Sequence, residues 1–180
     1  MTGKEMILGR RSIRKYSDKP VDEAVLREIV EEASYSPSWK HTQITRYIAV
    51  TDKALKEKIA SEGTTIWPGN GDIIRQAPVL MAVCAVEKRS GFERDGSFST
   101  EREDRWEFFD TGIASQTLCL AAYEHGLGSV ILGLFDIDTV ASLLEVPEGQ
   151  KVVALIPLGY AAEEPAAPRR KAVDDLLTIK

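Results

Sequence analysis

Residues 79–86 read Val-Leu-Met-Ala-Val-Cys-Ala-Val, an unbroken apolar run near the middle of the chain. The run has the length of a strand, and it lacks the alternation of apolar and polar residues that a half-exposed strand shows. It therefore predicts a strand that is buried on both faces, and the other predicted elements are arranged around it.

The longest predicted element follows this strand. From about Asp104 to His125 the apolar residues recur with helical spacing, and they occur nearly all round the helix. A helix without a clear polar face is typical of the centre of a domain or of an oligomer. Gly126 ends the helix in the C′ position, where glycine accommodates a left-handed backbone.

The remaining segments alternate between short helices, short strands and polar loops. Asp22 is a plausible N-cap for the helix that follows it. We expect helices over 3–9, 25–33, 53–60 and 138–145, and further strands over 46–51, 130–134 and 152–158. Irregular structure is expected over 34–43, 63–71 and 87–105. The last of these is strongly charged, and we expect it to be the most mobile part of the chain.

The composition is that of an ordinary soluble protein, with 43% hydrophobic and 28% charged residues among 180. A net charge of -5 argues against a general nucleic-acid binder, which would need a broad basic surface. Cys84 and Cys119 lie far apart and only two histidines occur, so we expect neither a disulfide scaffold nor a metal site. Without a membrane-spanning run or the apolar start of a signal peptide, the sequence predicts a cytoplasmic protein.

Most catalytic motifs are missing from the chain. Gly126-Leu127-Gly128 resembles the start of a dinucleotide fingerprint, but the third glycine is absent and the glycines follow a helix instead of opening one. No Walker sequence, nucleophile elbow or zinc-protease motif occurs. His125 is interpreted as a cation near a helix C-terminus. We therefore expect no catalytic side chain and infer that a cofactor carries the chemistry.

Residues 10–16 read Arg-Arg-Ser-Ile-Arg-Lys-Tyr and concentrate positive charge in an acidic protein. Guanidinium groups hold phosphate through parallel, charge-assisted hydrogen bonds, and the serine adds a neutral donor. The alternative is that these residues complement a helix end and stay solvated. A second basic cluster, Arg169-Arg170-Lys171, lies near the other end of the chain, between an Ala/Pro/Glu-rich linker and an amphipathic tail over 172–180. Such a tail needs a surface to cover.

Five stretches of the chain occur in the order that the FMN-dependent nitroreductase family shows. No single stretch is specific, but the ordered set is, and the chain resembles this family from about residue 10 to residue 171. The stretches are Arg10-Arg11-Ser12-Ile13-Arg14-Lys15-Tyr16, Ser36-Pro37-Ser38-Trp39-Lys40-His41-Thr42-Gln43, Asp110-Thr111-Gly112-Ile113-Ala114-Ser115-Gln116, Gly126-Leu127-Gly128-Ser129-Val130 and Pro168-Arg169-Arg170-Lys171.

The resemblance implies an α+β fold, with a central, mostly antiparallel sheet flanked by helices, and an intertwined homodimer. Residues 1–180 would form a single FMN-binding domain, in which 160–180 serve as a linker and as a tail that wraps around the partner. Two molecules of non-covalent FMN would lie at the dimer interface, and NADH or NADPH would reduce them.

The resemblance also implies which residues contact the cofactor. Side chains near both chain ends would bind the phosphate, ribityl and pyrimidine parts of FMN: Arg10, Arg11, Ser12, Arg14, and Arg169 or Arg170. The polar loop would reach the ring from the other subunit through Pro37, Ser38, Trp39, His41 and Gln43. Backbone groups of Leu132 and Gly133 would lie near the reactive edge of the ring, since a glycine permits close approach. Asn70 is a weaker candidate for a ring contact.

The function that the resemblance implies is reduction of nitroaromatic, quinone or similar electron-poor small molecules by ping-pong hydride transfer. One alternative is a flavin-binding or sensory dimer with little turnover. Another is a specialised reductase such as a dehalogenase, for which 87–105 could form a lid. The chain departs from the family at His41, where Asn is usual, and at Ile44-Thr45, where Pro-Trp is common. His41 either tunes acceptor use through its charge or caps the loop by bonding to its backbone.

Overall fold

The computed structural model describes residues 1–180, in which six α-helices and four strands are joined by loops and two short 3₁₀ turns. The helices are α1 (Gly3–Gly9), α2 (Glu23–Ser34), α3 (Lys53–Glu62), α4 (Pro68–Gln76), α5 (Arg105–Glu124) and α6 (Ile137–Leu143). The strands are β1 (Thr45–Val50), β2 (Val79–Val86), β3 (Gly128–Ser129) and β4 (Gln150–Gly159). No helix is both long enough and apolar enough to cross a membrane.

The four strands form one sheet in the order β1-β2-β4-β3, and every neighbouring pair is antiparallel. Met81 of β2 lies between Ala49 of β1 and Ile156 of β4, which fixes the register at the centre of the sheet. This confirms the predicted antiparallel α+β architecture.

Strand β2 separates two apolar cores. Val79, Met81 and Val83 enter the core formed with α2 and α5, whereas Leu80, Ala82 and Cys84 enter the core formed with α3, α4 and α6. Because successive side chains of a strand point to opposite faces, an apolar residue at every position is required here. The prediction of a strand buried on both faces is confirmed.

Helix α5 crosses one face of the sheet with Leu118, Cys119 and Ala122 in the core. It ends where the sequence predicts, and Gly126 follows it with a φ of 76°. The predicted N-cap of α2 is also confirmed, since the Asp22 carboxylate accepts a hydrogen bond from the Ala24 amide.

Two predictions of local structure are wrong. Residues 68–71 were expected to be irregular, but they open helix α4, because Pro68 occupies its first turn and Ile74 is buried in the core behind it. The strand expected over 130–134 is instead the short β3 followed by a single bridge at Leu132, with Ile131 exposed.

The charged excursion over 87–105 is partly anchored. Ser90 and Gly91 are buried, and Phe92 pairs with Phe98 across a turn. The segment is therefore buried at Ser90 and Gly91, while residues 93–98 are exposed.

Candidate functional site

The basic segment over 10–16 lies against the start of β3. The Ile13 amide donates to the Ser129 carbonyl at 2.9 Å, and Ser12 pairs with Ser129 in parallel orientation. This close approach requires glycine at 128, because a Cβ there would lie 2.6 Å from Ile13 Cγ1 and 2.7 Å from Ile13 Cβ. Glycine is thus needed at 128 because Ile13 packs directly against its backbone.

The segment is also tied to the last strand and to the chain that leaves it. The buried Tyr16 hydroxyl donates to the Ile13 carbonyl at 2.6 Å, and it lies 3.1 Å from the Pro157 carbonyl. Burial raises the pKa of Tyr16. The Ala162 amide donates to the Lys15 carbonyl at 2.9 Å, and the Glu163 carboxylate accepts from the Arg14 amide at 2.7 Å. The end of β4 and the start of the following linker therefore lie beside the basic cluster.

The cations of this cluster differ in their availability. Arg10 and Ser12 form no side-chain hydrogen bond, and Arg14 reaches only the Ser12 carbonyl at 3.4 Å. Arg11 donates to the carbonyls of Leu8, Gly9 and Arg10 at the end of α1. The alternative interpretation, a cation at a helix end, therefore describes Arg11, while Arg10 and Arg14 keep free donors.

The positive charge of Arg10 also affects the pKa of a buried cysteine. Burial raises the pKa of the Cys119 thiol on α5, and both a hydrogen bond with Ser129 and the positive charge of Arg10 oppose that shift. Arg10 is thus near enough to β3 and α5 to influence a buried group there.

The second basic cluster lies in an exposed, extended part of the chain. Arg169 forms no hydrogen bond or ion pair, and Arg170 donates to the Pro168 carbonyl at 3.1 Å. Like Arg10 and Arg14, both are free of carboxylate partners. Their predicted role in binding phosphate remains a prediction.

Leu132 and Gly133, whose backbone groups are predicted to lie near the flavin ring, differ in whether those groups are free to bind. The Leu132 amide and carbonyl are both engaged with Leu155, at 2.8 and 3.1 Å. Gly133 has no backbone partner for its amide, and a Cβ placed on it would meet nothing within 4 Å. Asn70 donates to the neighbouring Leu134 carbonyl at 2.9 Å. Gly133 therefore offers an open amide, and Asn70 braces the segment that carries it.

The predicted ring-contacting loop, which we call the Ser36–Gln43 loop, has a strained backbone. Lys40, His41 and Gln43 have φ values of 45°, 57° and 48°, in the left-handed region that side chains other than glycine rarely adopt. The Gln43 amide donates to the Ser38 hydroxyl at 3.0 Å, which closes the loop on itself. Strain of this kind is concentrated at functional sites.

His41 is exposed and lies 2.7 Å from the Gln43 side-chain amide, measured between His41 Nε2 and Gln43 Nε2. The contact joins two side chains of the loop, and it is not the bond to backbone that was expected of a capping role. Tuning of acceptor use by the charge of His41 remains a prediction.

Unpaired polar atoms are concentrated in this region. The three buried side-chain nitrogen or oxygen atoms without a hydrogen-bond partner are Trp39 Nε1, Thr42 Oγ1 and Tyr47 Oη. Burial raises the pKa of Tyr47 to about 12. Because buried polar groups are normally paired, their clustering in and next to one loop indicates a surface that another group completes.

The donor set fits FMN. Free guanidinium groups at Arg10 and Arg14 with the Ser12 hydroxyl suit a phosphate and a polar chain, and the open Gly133 amide suits a planar acceptor. No group of histidine, cysteine and carboxylate side chains is placed to bind a metal ion.

The predicted ring-contacting loop lines a cleft of the chain. Pro37, Ser38 and Gln43 border this cleft, which has a volume of about 280 Å³ and lies between α2 and α5. Arg11 and Gly128 border a different cleft of about 310 Å³, which Arg10, Ser12 and Arg14 do not line. The shared site that the resemblance implies, with the loop of one subunit over the cofactor of the other, remains a prediction.

Sequence reasoning missed two carboxylates of α5 that hold this region together. Asp110 accepts hydrogen bonds from the Trp39 amide and the Ser90 hydroxyl, and Glu107 accepts from the Lys88 amide and pairs with Lys151. Both are buried. The signal was available, because acidic residues in a helix that is apolar nearly all round need buried partners.

Comparison with known proteins agrees with this geometry. A model of the nitroreductase family matches residues 7–63 and 60–160. A protein of Methanothermobacter thermautotrophicus, whose name joins NADH dehydrogenase and NAD(P)H nitroreductase, is 34% identical over 168 residues, covering 89% of this chain and 78% of its own. An FMN reductase [NAD(P)H] of Bacillus subtilis is 32% identical over 170 residues, covering 89% of this chain and 66% of its own.

The chain is also similar in structure to a solved nitroreductase. The FMN-dependent nitroreductase of Clostridium difficile R20291 superimposes with a TM-score of 0.73 at 26% identity, covering 92% of this chain and 91% of its own.

Proposed function

Because the chain belongs to the nitroreductase family, we propose that it is an NAD(P)H-dependent FMN oxidoreductase that reduces nitroaromatic, quinone or similar electron-poor small molecules. Two observations carry the proposal: the guanidinium groups of Arg10 and Arg14 have no carboxylate partner, and the Gly133 amide has no backbone acceptor. When bound, FMN would supply two-electron chemistry between a nicotinamide and an acceptor.

The chain's own residues would bind and orient the cofactor. Arg10, Ser12 and Arg14 would hold its phosphate end, and Arg169 or Arg170 would add a further cation. The Gly133 amide would donate to the ring, and its missing side chain would let the ring approach. A cation near the pyrimidine edge of the ring favours the anionic reduced flavin and so raises its potential.

Homodimer formation is part of the proposal, with 1–180 as one domain and 160–180 as linker and wrapping tail. Apolar side chains are exposed on α1, α5 and the tail: Ile7, Leu8, Phe108, Phe109, Val173, Leu176, Leu177 and Ile179. Exposed apolar surface on this scale is typical of an interface. A second copy would also bring the Ser36–Gln43 loop to the partner's basic cluster.

The colour of the purified protein tests the function directly. We expect a yellow protein that releases FMN, and not FAD, on denaturation. Stopped-flow mixing with NADH and with NADPH should bleach the flavin absorbance, and a panel of nitroaromatics and quinones should restore it. A colourless protein that cannot be loaded with FMN would contradict the proposal. A flavin that neither nucleotide reduces would instead favour a binding protein with little turnover.

Deletion of 172–180 is expected to weaken dimerisation and FMN binding together. The deleted segment carries Leu176 and Ile179, which are 70% and 86% exposed in the single chain and would be covered in the dimer. Analytical ultracentrifugation at several protein concentrations measures the change. The control is Asp174→Asn with Asp175→Asn, which keeps the apolar residues of the tail. A truncated protein that remains dimeric and fully loaded would show that the tail covers no subunit interface.

A further inference from the structure

Two strained segments meet at the N-terminal half of α5. Five of the six non-glycine residues with positive φ lie in the Ser36–Gln43 loop or in the segment over 87–105; they are Lys40, His41, Gln43, Lys88 and Glu103. Each such conformation costs about 1–3 kcal/mol and persists only where surrounding contacts impose it. The contacts that impose it on the loop therefore determine its shape.

Asp110 supplies the buried contact. It is 3% exposed, and its Oδ2 accepts from the Trp39 amide at 2.9 Å and from the Ser90 hydroxyl at 2.7 Å. One oxygen atom thus joins the loop, the segment over 87–105 and α5. No lysine, arginine or histidine nitrogen lies within 4.0 Å of this carboxylate. Its charge is directed entirely at these two neutral donors.

The other links between the loop and the rest of the chain are weaker or less specific. Lys40 pairs with Glu93 at 2.9 Å, but both side chains are about half exposed, and exposed ion pairs contribute little. Trp39 packs on Trp106 with ring centroids 4.5 Å apart. This stacking follows the position of the Trp39 backbone, which the bond to Asp110 fixes.

Glu107, one turn earlier on the same helix, provides a contrast. It is 1% exposed, accepts from the Lys88 amide at 2.6 Å and pairs with Lys151 at 2.8 Å. Its bonds join the segment over 87–105 to β4 and do not reach the loop. An equally buried carboxylate on α5 therefore has a structural role without the contact to Trp39.

We propose that Asp110 is a positioning residue that holds the Ser36–Gln43 loop in the conformation that presents Pro37, Ser38 and Trp39 to the cofactor. The effect of Asp110 on cofactor binding rests on the proposed function. Its effect on the loop conformation does not. In this role Asp110 acts through the Trp39 amide.

The Trp39–Trp106 pair gives a readout that does not depend on FMN. Two indoles at 4.5 Å with planes inclined by 43° should give an exciton couplet in the circular dichroism spectrum. The third tryptophan, Trp67, is removed as Trp67→Phe, and Trp39→Phe identifies the couplet. In the FMN-free protein, Asp110→Ala is expected to abolish the couplet while the helical signal stays. Asp110→Asn should leave a weakened couplet, because charge-assisted bonds are about twice as strong as neutral ones.

Two matched variants separate positioning from general stability. Glu107→Gln is expected to lower the melting temperature and to leave the couplet intact. Ser90→Ala removes one donor to Asp110 but keeps the Trp39 bond, so its couplet should also persist. A folded Asp110→Ala protein with the parent couplet would overturn the proposal. Should Asp110→Ala not fold, a full couplet together with unchanged FMN affinity in Asp110→Asn would overturn it.

Titration with FMN connects the loop to the cofactor. Asp110→Ala should weaken FMN binding about ten- to a hundredfold, as expected for loss of hydrogen bonds to a charged group, and Glu107→Gln should not change it. If the parent protein binds no FMN, the proposed function fails, while the couplet still decides the role of Asp110. If FMN binds equally to the parent and to Asp110→Ala, the positioning role fails and the proposed function stands.

Discussion

A protein carrying both Arg10→Ala and Arg14→Ala is expected to fold normally and to bind FMN about 10²- to 10⁴-fold more weakly than the parent. Each lost charge-assisted hydrogen bond accounts for about 1.5–3 kcal/mol, and tenfold in affinity corresponds to about 1.4 kcal/mol. Stability should change little, because neither guanidinium is in an ion pair and Arg14 has only a long bond to the Ser12 carbonyl. Fluorescence titration of the FMN-free protein gives the affinity, and thermal unfolding gives the stability.

The matched control is Lys53→Ala with Lys58→Ala. These residues are exposed cations on α3, and their removal changes the net charge by the same two units. If the control loses as much affinity as the double arginine variant, the effect is one of overall charge and not of a phosphate site. Full FMN binding by the Arg10 and Arg14 variant would remove the basis of the proposed cofactor site.

The second prediction compares two glycines, of which Gly128 is tightly packed and Gly133 has open space beside it. Gly128→Ala is expected to lower the melting temperature by about 2–12 °C, which corresponds to an overpacking cost of about 1–3 kcal/mol in a chain of this size. The new Cβ would lie 2.6–2.9 Å from three atoms of Ile13. Ile13 is β-branched and buried, so the basic segment over 10–16 would have to move.

Gly133→Ala is the paired experiment. Its Cβ would meet no atom of the chain within 4 Å, so the FMN-free protein should melt as the parent does. FMN binding should nevertheless weaken about tenfold or more, because the added methyl occupies the approach to the Gly133 amide. Calorimetry of the FMN-free variants and FMN titration separate the two cases. Equal melting temperatures for the two variants would contradict the packing role of Gly128, and parent-like FMN binding by Gly133→Ala would contradict the ring contact.

Local sequence was sufficient where one signal dominated. The apolar run of β2 and the capping signals of Asp22 and Gly126 predicted their elements, because burial on two faces and cap geometry each require particular residue types. Helix α4 was missed because Gly69, Asn70 and Gly71 are poor helix formers. Packing of Ile74 and proline in the first turn outweigh that weak propensity.

The segment over 130–134 shows the opposite error. Val130, Ile131 and Leu132 have the residue types of a strand, but only Val130 and Leu132 are buried, and Leu132 forms a single bridge to β4. Strand propensity depends on the neighbours that a residue finds, and the sequence does not name them.

The candidate site also contains residues that local sequence identifies and residues that only the fold brings together. The basic residues of 10–16 stand out by residue type, whereas Gly133 was named from the family resemblance. Their contacts with the cofactor remain predictions. Asp110 could not be assigned its contacts, because Trp39 and Ser90 are 71 and 20 residues away and meet it only in the folded chain. The hydrogen bonds from Arg11 to carbonyls at the end of α1 could not be predicted either. The four basic residues within 10–16 look alike in sequence, and only the folded backbone separates Arg11 from the others.

The contacts of Lys15 and Arg14 with Ala162 and Glu163 also bear on when the basic segment is held in place. A ribosome makes the arginines of the first segment near the start of synthesis, but the end of β4 and the linker that hold that segment in place are made much later. During translation the basic segment therefore lacks these contacts until residues 157–163 have emerged. A chain that ended before Pro157 would carry the whole basic segment without the contacts that hold it in place.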